Sequence, residues 1–268
     1  MTILFLVILI LILFLKYNKK NEYDFIKLIN NWTTNYSKLS FNNIKLINYN
    51  NKINTNKLGI KLNIYVPKIY YNGKYDRKEI IKYNNYVIKP INGHSSTNVY
   101  LMSNGINLFT NKKHNIKHFD NIFFNKDIII EQLLPNENNQ YRILDDFKIY
   151  TFRGNPEIVL HKYYDYDKND YSSEYYDNNW NKIEPLRKLP KKGTLNYKSK
   201  NIKKMLNICK FIGITVFKDV FVRLDFYISN NNVYLGEITP CPNSGKGFTK
   251  LGIKTLNNLC KKYNLPCN

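Results

Sequence analysis

Two short segments hold the residue types that phosphate chemistry needs. Phe221-Val-Arg223-Leu-Asp225-Phe226 reads as one strand, and Leu235-Gly-Glu237-Ile-Thr239-Pro240 reads as its neighbour. Side chains alternate along a strand, so Arg223 and Asp225 share a face with Phe221, and Glu237 shares one with Thr239. Asn230, Asn231 and Asn232 make a turn short enough to join the strands as a hairpin, which sets Asp225 beside Glu237. Two carboxylates and a hydroxyl amid apolar residues suit a hard cation such as Mg²⁺. The competing reading is an outward face of ordinary charges on which Arg223 pairs with either acid.

Three other stretches carry suggestive groups. The strand Tyr86-Val-Ile-Lys89 ends at Pro90 and leads into a small polar loop with Gly93, Ser95 and Ser96. A lysine at a strand end is a point charge for phosphate, and backbone N–H groups of such a loop can approach phosphate oxygens. The Walker pattern GxxxxGK[ST] is absent, and a surface lysine before a turn is the plain alternative. Residues 127–134 form an apolar strand closed by Pro135. Near its end Glu131, Gln132 and Leu133 would offer backbone groups to a base, or be only the polar end of a core strand. In the stretch 141–154, Asp146 and Lys148 fall on one strand face, with Arg142 just upstream.

The elements that must position these groups are hairpin strands with helices between them, an α+β pattern. Strands are expected at residues 86–89, 127–134, 147–153, 157–163, 221–229 and 233–239. Helices are expected at 23–31, 56–64, 77–83, 202–212 and 248–263. Gly154-Asn155-Pro156 marks a further hairpin turn. Residues 164–199, rich in Tyr, Asp and Lys, read as a long excursion. Domain boundaries are expected at 1–16 for a membrane anchor, 17–55 for a polar linker and 56–268 for the globular part, with lobes at about 56–135 and 136–268.

The anchor rests on the continuous apolar run at residues 2–15, followed by Lys16, Lys19 and Lys20. A helix of that length reaches roughly 21 Å, enough only for a thin membrane. The lysines that follow place the remaining chain in the cytosol. A cleaved signal peptide is the rival, but no basic segment precedes the run and no small-residue cleavage site follows it. Sequons at Asn31 and Asn35 are chance matches in so Asn-rich a chain.

The 268 residues carry a net charge of +21, which at face value calls for an anionic partner. The composition explains much of that charge. There are 43 Asn, 36 Lys, only five Arg and no Ala. An AT-rich genome, that of a protist, an AT-rich bacterium or a large DNA virus, writes tolerant surface positions as Asn and Lys. Arg and carboxylates that cluster against this bias stand out. Four cysteines form no zinc spacing, and Cys260 with Cys267 is a weak disulfide candidate. His114 and His118, four apart, lack a third ligand. No Ser-His-Asp or Cys-His arrangement is present.

Taken in order, VIKPINGHSS, DFKIYTFRGNP and RLDFYISNNNVYLGEITPCPNSG resemble the TupA-like branch of the ATP-grasp superfamily, over roughly residues 56–255. The resemblance implies an ATP-grasp fold of two α+β lobes gripping ATP with Mg²⁺. It implies that Lys89 and Lys148 contact phosphates, that Gly93, Ser95 and Ser96 lie over them, and that Glu131, Gln132 and Leu133 form the adenine hinge, with Glu137 near the ribose. Arg223, with Lys148, would serve the transferring phosphoryl group, and Asp225 and Glu237 would hold the metal. Thr239 stands where the superfamily has Asn. The implied activity is carboxylate–amine ligation through an acyl-phosphate, on a cell-surface or capsid glycan or peptide precursor bearing a carboxylate. No specific nucleic acid is expected. A membrane-anchored basic protein that binds nucleic acid or anionic lipid without catalysis is the alternative. A degenerate fold that binds nucleotide without turnover is a third reading.

Overall fold

The computed structural model describes residues 23–35, 40–41, 44–91, 97–166, 168, 170–188 and 199–265. The apolar run at 2–15, the loop residues Gly93, Ser95 and Ser96, and Cys267 lie outside them. Among the described residues no helix is long and apolar enough to cross a membrane.

After a two-residue ribbon, β1 (Ser40–Phe41) with β2 (Ile44–Lys45), the strands build two six-stranded antiparallel sheets. The small-lobe sheet contains β3 (Ile69–Lys74), β4 (Asn85–Pro90), β5 (Tyr100–Ser103), β6 (Ile106–Asn107), β7 (Lys112–Lys113) and β8 (Asp127–Gln132), in the order β3-β8-β4-β5-β6-β7. The large-lobe sheet contains β9 (Asp146–Phe152), β10 (Asn155–Asp165), β11 (Asp170–Asp177), β12 (Lys182–Ile183), β13 (Phe221–Ser229) and β14 (Asn232–Thr239), in the order β12-β11-β10-β9-β13-β14. Pairing is antiparallel because hairpins connect β9 to β10, β10 to β11 and β13 to β14.

Both predicted hairpin turns are present and tighter than expected. The first is Arg153-Gly154, at φ 47° and 78°, and Asn155 and Pro156 already belong to β10. The second is Asn230-Asn231, at φ 46° and 62°. Positive φ at both central residues gives the backbone twist that continues two right-twisted strands. Gly154 has a second constraint. A Cβ placed there would lie 2.6 Å from backbone atoms of Gly213 and Ile214 in the helix packed above.

Among the described residues, six α-helices accompany the sheets: α1 (Phe25–Thr34), α2 (Lys52–Lys61), α3 (Arg77–Ile80), α4 (Ile116–Phe123), α5 (Ile202–Val216) and α6 (Lys250–Lys262). The small-lobe core joins Ile88 and Ile130 of the sheet to Ile80 of α3 and to Phe119 and Phe123 of α4. The large-lobe core includes Phe147, Phe152, Phe221 and Phe226 of the sheet with Met205, Cys209 and Ile212 of α5.

The expectation of a polar linker through residue 55 needs correction. Asp24 caps α1, accepting from the Lys27 N–H at 3.0 Å. Phe25, Leu28, Ile29 and Trp32 then recur at helical spacing and are all buried in the large-lobe core. The Phe25 ring meets Phe221 edge-on at 5.0 Å and Phe248 at 5.6 Å. The helix expected at 56–64 starts earlier, at Lys52, where the Asn51 side chain accepts from the Ile53 N–H.

Candidate active site

The cleft between the two sheets is lined by Val87, Lys89 and Leu101 of the small lobe, by the segment 131–134, and by Asp146, Lys162, Tyr171 and Tyr227 of the large lobe. Its empty space is about 800 Å³, part of it open to solvent. Apolar walls with a few convergent charges are the usual character of a small-molecule site.

On the large-lobe floor, β9, β13 and β14 run side by side; Asp146 and Tyr227 of these strands line the cleft itself, and Lys148, Arg223, Asp225 and Glu237 lie next to them along the same strands. Asp225 is opposite Glu237 on one side and Lys148 on the other, and Arg223 is opposite Thr239. The predicted carboxylates therefore do meet across the hairpin. They meet in a cationic frame. Arg223 donates to both Asp225 oxygens at 2.7 Å and to Thr239 Oγ1 at 3.1 Å. Lys148 Nζ lies 2.6 Å from Asp225 and 2.7 Å from Asp146. Asp225 is 1% exposed and Arg223 9%.

Burial disfavours every one of these charges, so their protonation depends on the partners. For Asp225, burial raises the pKa, but Arg223 and Lys148 outweigh it and hold the carboxyl below its ordinary value. For Lys148, burial lowers the pKa, and Asp146 and Asp225 reverse the effect. Arg223 behaves likewise, with Asp225 as the compensating charge.

A bulge shapes this floor. Asp225 pairs with Glu237 but Phe226 pairs with Leu235, leaving Gly236 as the extra residue. The Tyr227 ring occupies the space a Cβ at Gly236 would need, 2.4 Å from that position. The glycine before Glu237 thus lets a tyrosine ring lie flat on the strand and face the cleft.

In the small lobe, Lys89 on β4 forms an ion pair with Glu131 on β8, both 12% exposed at the side chain. The Glu131 side chain is therefore engaged by the lysine. At the hinge position, Gln132 N–H donates to Lys68 O at 2.8 Å and Leu133 is buried. Glu137 does not line the cleft. It accepts from Asn201 at 3.1 Å in an adjoining depression.

Two further cationic groups escaped the sequence reading. Lys52, at the first turn of α2, is within electrostatic reach of Glu237, Lys89 and Glu131 and so joins the two halves of the site. Burial lowers its pKa. Lys162, in register with Asp146, lies over the Tyr171 ring at 3.9 Å, and burial lowers its pKa too. The Asn51 cap was the available signal for Lys52, hidden among so many lysines. The His114 and His118 rings lie 4.0 Å apart, and no group of three metal-ligating side chains occurs among the described residues.

Asp225 and Glu237 are hard oxygen donors on adjacent strands. Mg²⁺ needs only one or two protein carboxylates when phosphate oxygens and water complete its shell. The donor set fits that ion. Lys89, Lys148 and Lys52 add the positive charge a polyphosphate requires.

Two α+β lobes, each with an antiparallel sheet, closing on a cleft of lysines and carboxylates define an ATP-grasp fold. The same fold is seen in D-alanine–D-alanine ligase from Bacillus anthracis complexed with ATP, at TM-score 0.51 and 11% identity over 83% of this chain and 68% of that one. An ADP complex of N5-carboxyaminoimidazole ribonucleotide synthetase matches at TM-score 0.50 and 11% identity, over 75% of this chain and 47% of that one. The model of the TupA-like ATP-grasp family matches residues 36–255, and the chain belongs to that family. A D-alanine–D-alanine ligase of Helicobacter pylori (strain P12) is 26% identical over 203 residues, which are 73% of this chain and 51% of that protein. The chain thus spans about half the length of this curated relative.

Proposed function

We propose that this chain is an ATP- and Mg²⁺-dependent ligase that joins a carboxylate to an amine through an acyl-phosphate. One observation carries the reading: Asp225, Glu237, Lys148 and Arg223 on the large-lobe floor stand beside Lys89, Lys52 and the hinge 131–134. Val87, Leu101 and Tyr227 supply apolar surface for a base, and the hinge supplies backbone groups for its edge. Lys89, Lys148 and Lys52 draw the phosphates to the floor. Asp225 and Glu237 would hold Mg²⁺, which supplies charge neutralisation at the phosphates when bound. Arg223, fixed by Asp225, holds a guanidinium where negative charge develops on the moving phosphoryl group. The side chains bind, orient and exclude water, and no nucleophilic residue is needed.

The relatives that carry this fold include ligases acting on D-alanine and a protein crystallised with ATP. For the acceptor we favour a glycan or peptide precursor made at a membrane, with the catalytic lobes facing the cytosol. The apolar run at 2–15 and the lysines after it support that placement.

Thermal stability of the purified chain with and without Mg-ATP tests the nucleotide site, with Lys89→Ala and Asp225→Asn alongside. Ligand at about a hundred times its dissociation constant stabilises the native state by roughly 2.7 kcal/mol. A magnesium-dependent rise that both variants reduce supports the proposal. A folded wild-type chain whose stability ignores Mg-ATP refutes it.

A further inference from the structure

The outer face of α5 is apolar where its surroundings are cationic. Phe211 and Ile214 stand three residues apart on that helix, so they share a face, and they are 50% and 49% exposed. The other apolar residues of α5 are buried or half-buried. Lys210 beside the pair is exposed, and α5 has no acidic residue. The small lobe also exposes Ile81 and Phe124, but α3 and α4 next to them carry Glu79 and Asp120. Only the α5 pair combines apolar exposure with a single sign of charge.

This face adjoins the corner where the chain enters the large lobe. Gly154 packs on the backbone of Gly213 and Ile214, and Arg153 precedes it in the turn. Arg153 Nη2 donates to Asn264 O at 3.1 Å, and the Asn264 side chain accepts from the Tyr23 hydroxyl at 2.8 Å. Lys261 and Lys262 end α6 just before Asn264. The carboxylates of this corner are engaged: Glu157 accepts from Lys262 and Tyr263, and Asp24 caps α1. Residues 16–22 alone separate Tyr23 from the apolar run at 2–15, and they hold Lys16, Lys19 and Lys20 against Glu22. Even fully extended, that stretch reaches no more than about 30 Å. With the run in a bilayer, the Tyr23 corner cannot stray far from the lipid surface.

We propose that Phe211 and Ile214, with Lys210, Arg153, Lys261 and Lys262 around them, dock the large lobe on an anionic lipid bilayer. The two apolar side chains enter the headgroup boundary, and the cations meet lipid phosphates. The inference rests on the reading of residues 2–15 as a membrane anchor and is independent of the ligase chemistry. An anchor by itself tethers the lobes in any orientation. The docked face fixes one.

The test reconstitutes the full chain into vesicles of phosphatidylcholine and phosphatidylglycerol with brominated acyl chains, which quench tryptophan on contact. Phe211→Trp reports on the α5 face and Phe124→Trp on the small lobe, with the wild-type chain giving the background from Trp32 and Trp180. Quenching in Phe211→Trp is expected to exceed that in Phe124→Trp several-fold, and to fall in phosphatidylcholine alone or at high salt. Equal quenching of the two variants in vesicle-bound chain overturns the docked face. So does a Phe211→Trp signal closed to acrylamide before vesicles are added, which would mean that a second copy or the apolar run covers the patch. Undiminished quenching in phosphatidylcholine alone overturns the role of the cations. If the wild-type chain fails to float with the vesicles, the anchor reading falls and the docked face with it, a failure distinguishable from the others.

Discussion

Lys148 and Asp225 face each other across β9 and β13, and their side chains meet at 2.6 Å. The carboxylate best placed to receive a cation is thus already neutralised, by Lys148 and by the two-point grip of Arg223. An incoming polyphosphate offers Lys148 an alternative partner. As Lys148 turns to phosphate, Asp225 gains the lone pairs a metal needs. Nucleotide and Mg²⁺ should therefore bind cooperatively.

Asp225→Asn should be costly even without ligand. It leaves two buried cations facing a neutral amide, and breaking a buried pair from one side costs about 3–5 kcal/mol. Chemical denaturation of the unliganded variant checks the figure. Loss of Mg-ATP binding with full stability would show that the pairing is not structural.

Lys52→Ala should weaken ATP binding roughly ten-fold while sparing the fold, because α2 is capped by Asn51 and not by the lysine. Fluorescent nucleotide titration reads the affinity. Equal affinity in the variant would remove Lys52 from the site.

Gly236→Ala should displace the Tyr227 ring and cost about 1–3 kcal/mol. Combined with Tyr227→Ala, which clears the space, the alanine should cost far less than it does alone. A double-mutant cycle measures that coupling. Strictly additive effects would mean that the ring does not occupy the bulge.

Burial pushes Tyr86 in the small-lobe core up to about 12. Its native value lies above the unfolded value of about 10, so the stability linked to its neutral form is complete below pH 10. That stability is lost as pH rises toward 12, by roughly 1–2 kcal/mol. Alkaline unfolding should therefore start later in Tyr86→Phe than in the wild-type chain. Identical alkaline limbs would assign the transition to other groups.

The large-lobe site was the legible half. Period-two alternation and an asparagine turn were enough to pair Asp225 with Glu237 and to align Asp146 with Lys148. The small lobe was harder to read. β6 and β7 are two residues each, too short for a periodic signal, and β5 is only four. The eight-residue α4 was also missed. The apolar stripe of α1 was visible as a helix but hidden as core, because the stretch around it is polar and Asn-rich. Tyr227 and Lys162 needed register, which depends on a bulge and on long-range pairing. Arg187 belongs to no local pattern. Only the fold brings it against Gly247 and Asn243.

The turns at Asn230-Asn231 and elsewhere give the composition a second meaning. Among the described residues, ten of the thirteen non-glycine residues with positive φ are asparagine. Asparagine tolerates left-handed backbone better than any other residue except glycine. Glycine codons are GC-rich, and this chain has only 11 glycines against 43 asparagines. Asparagine is thus a dialect word for glycine here, spelled in the nucleotides the genome prefers. Part of what looked like mutational drift on a tolerant surface is the punctuation that lets the chain reverse direction.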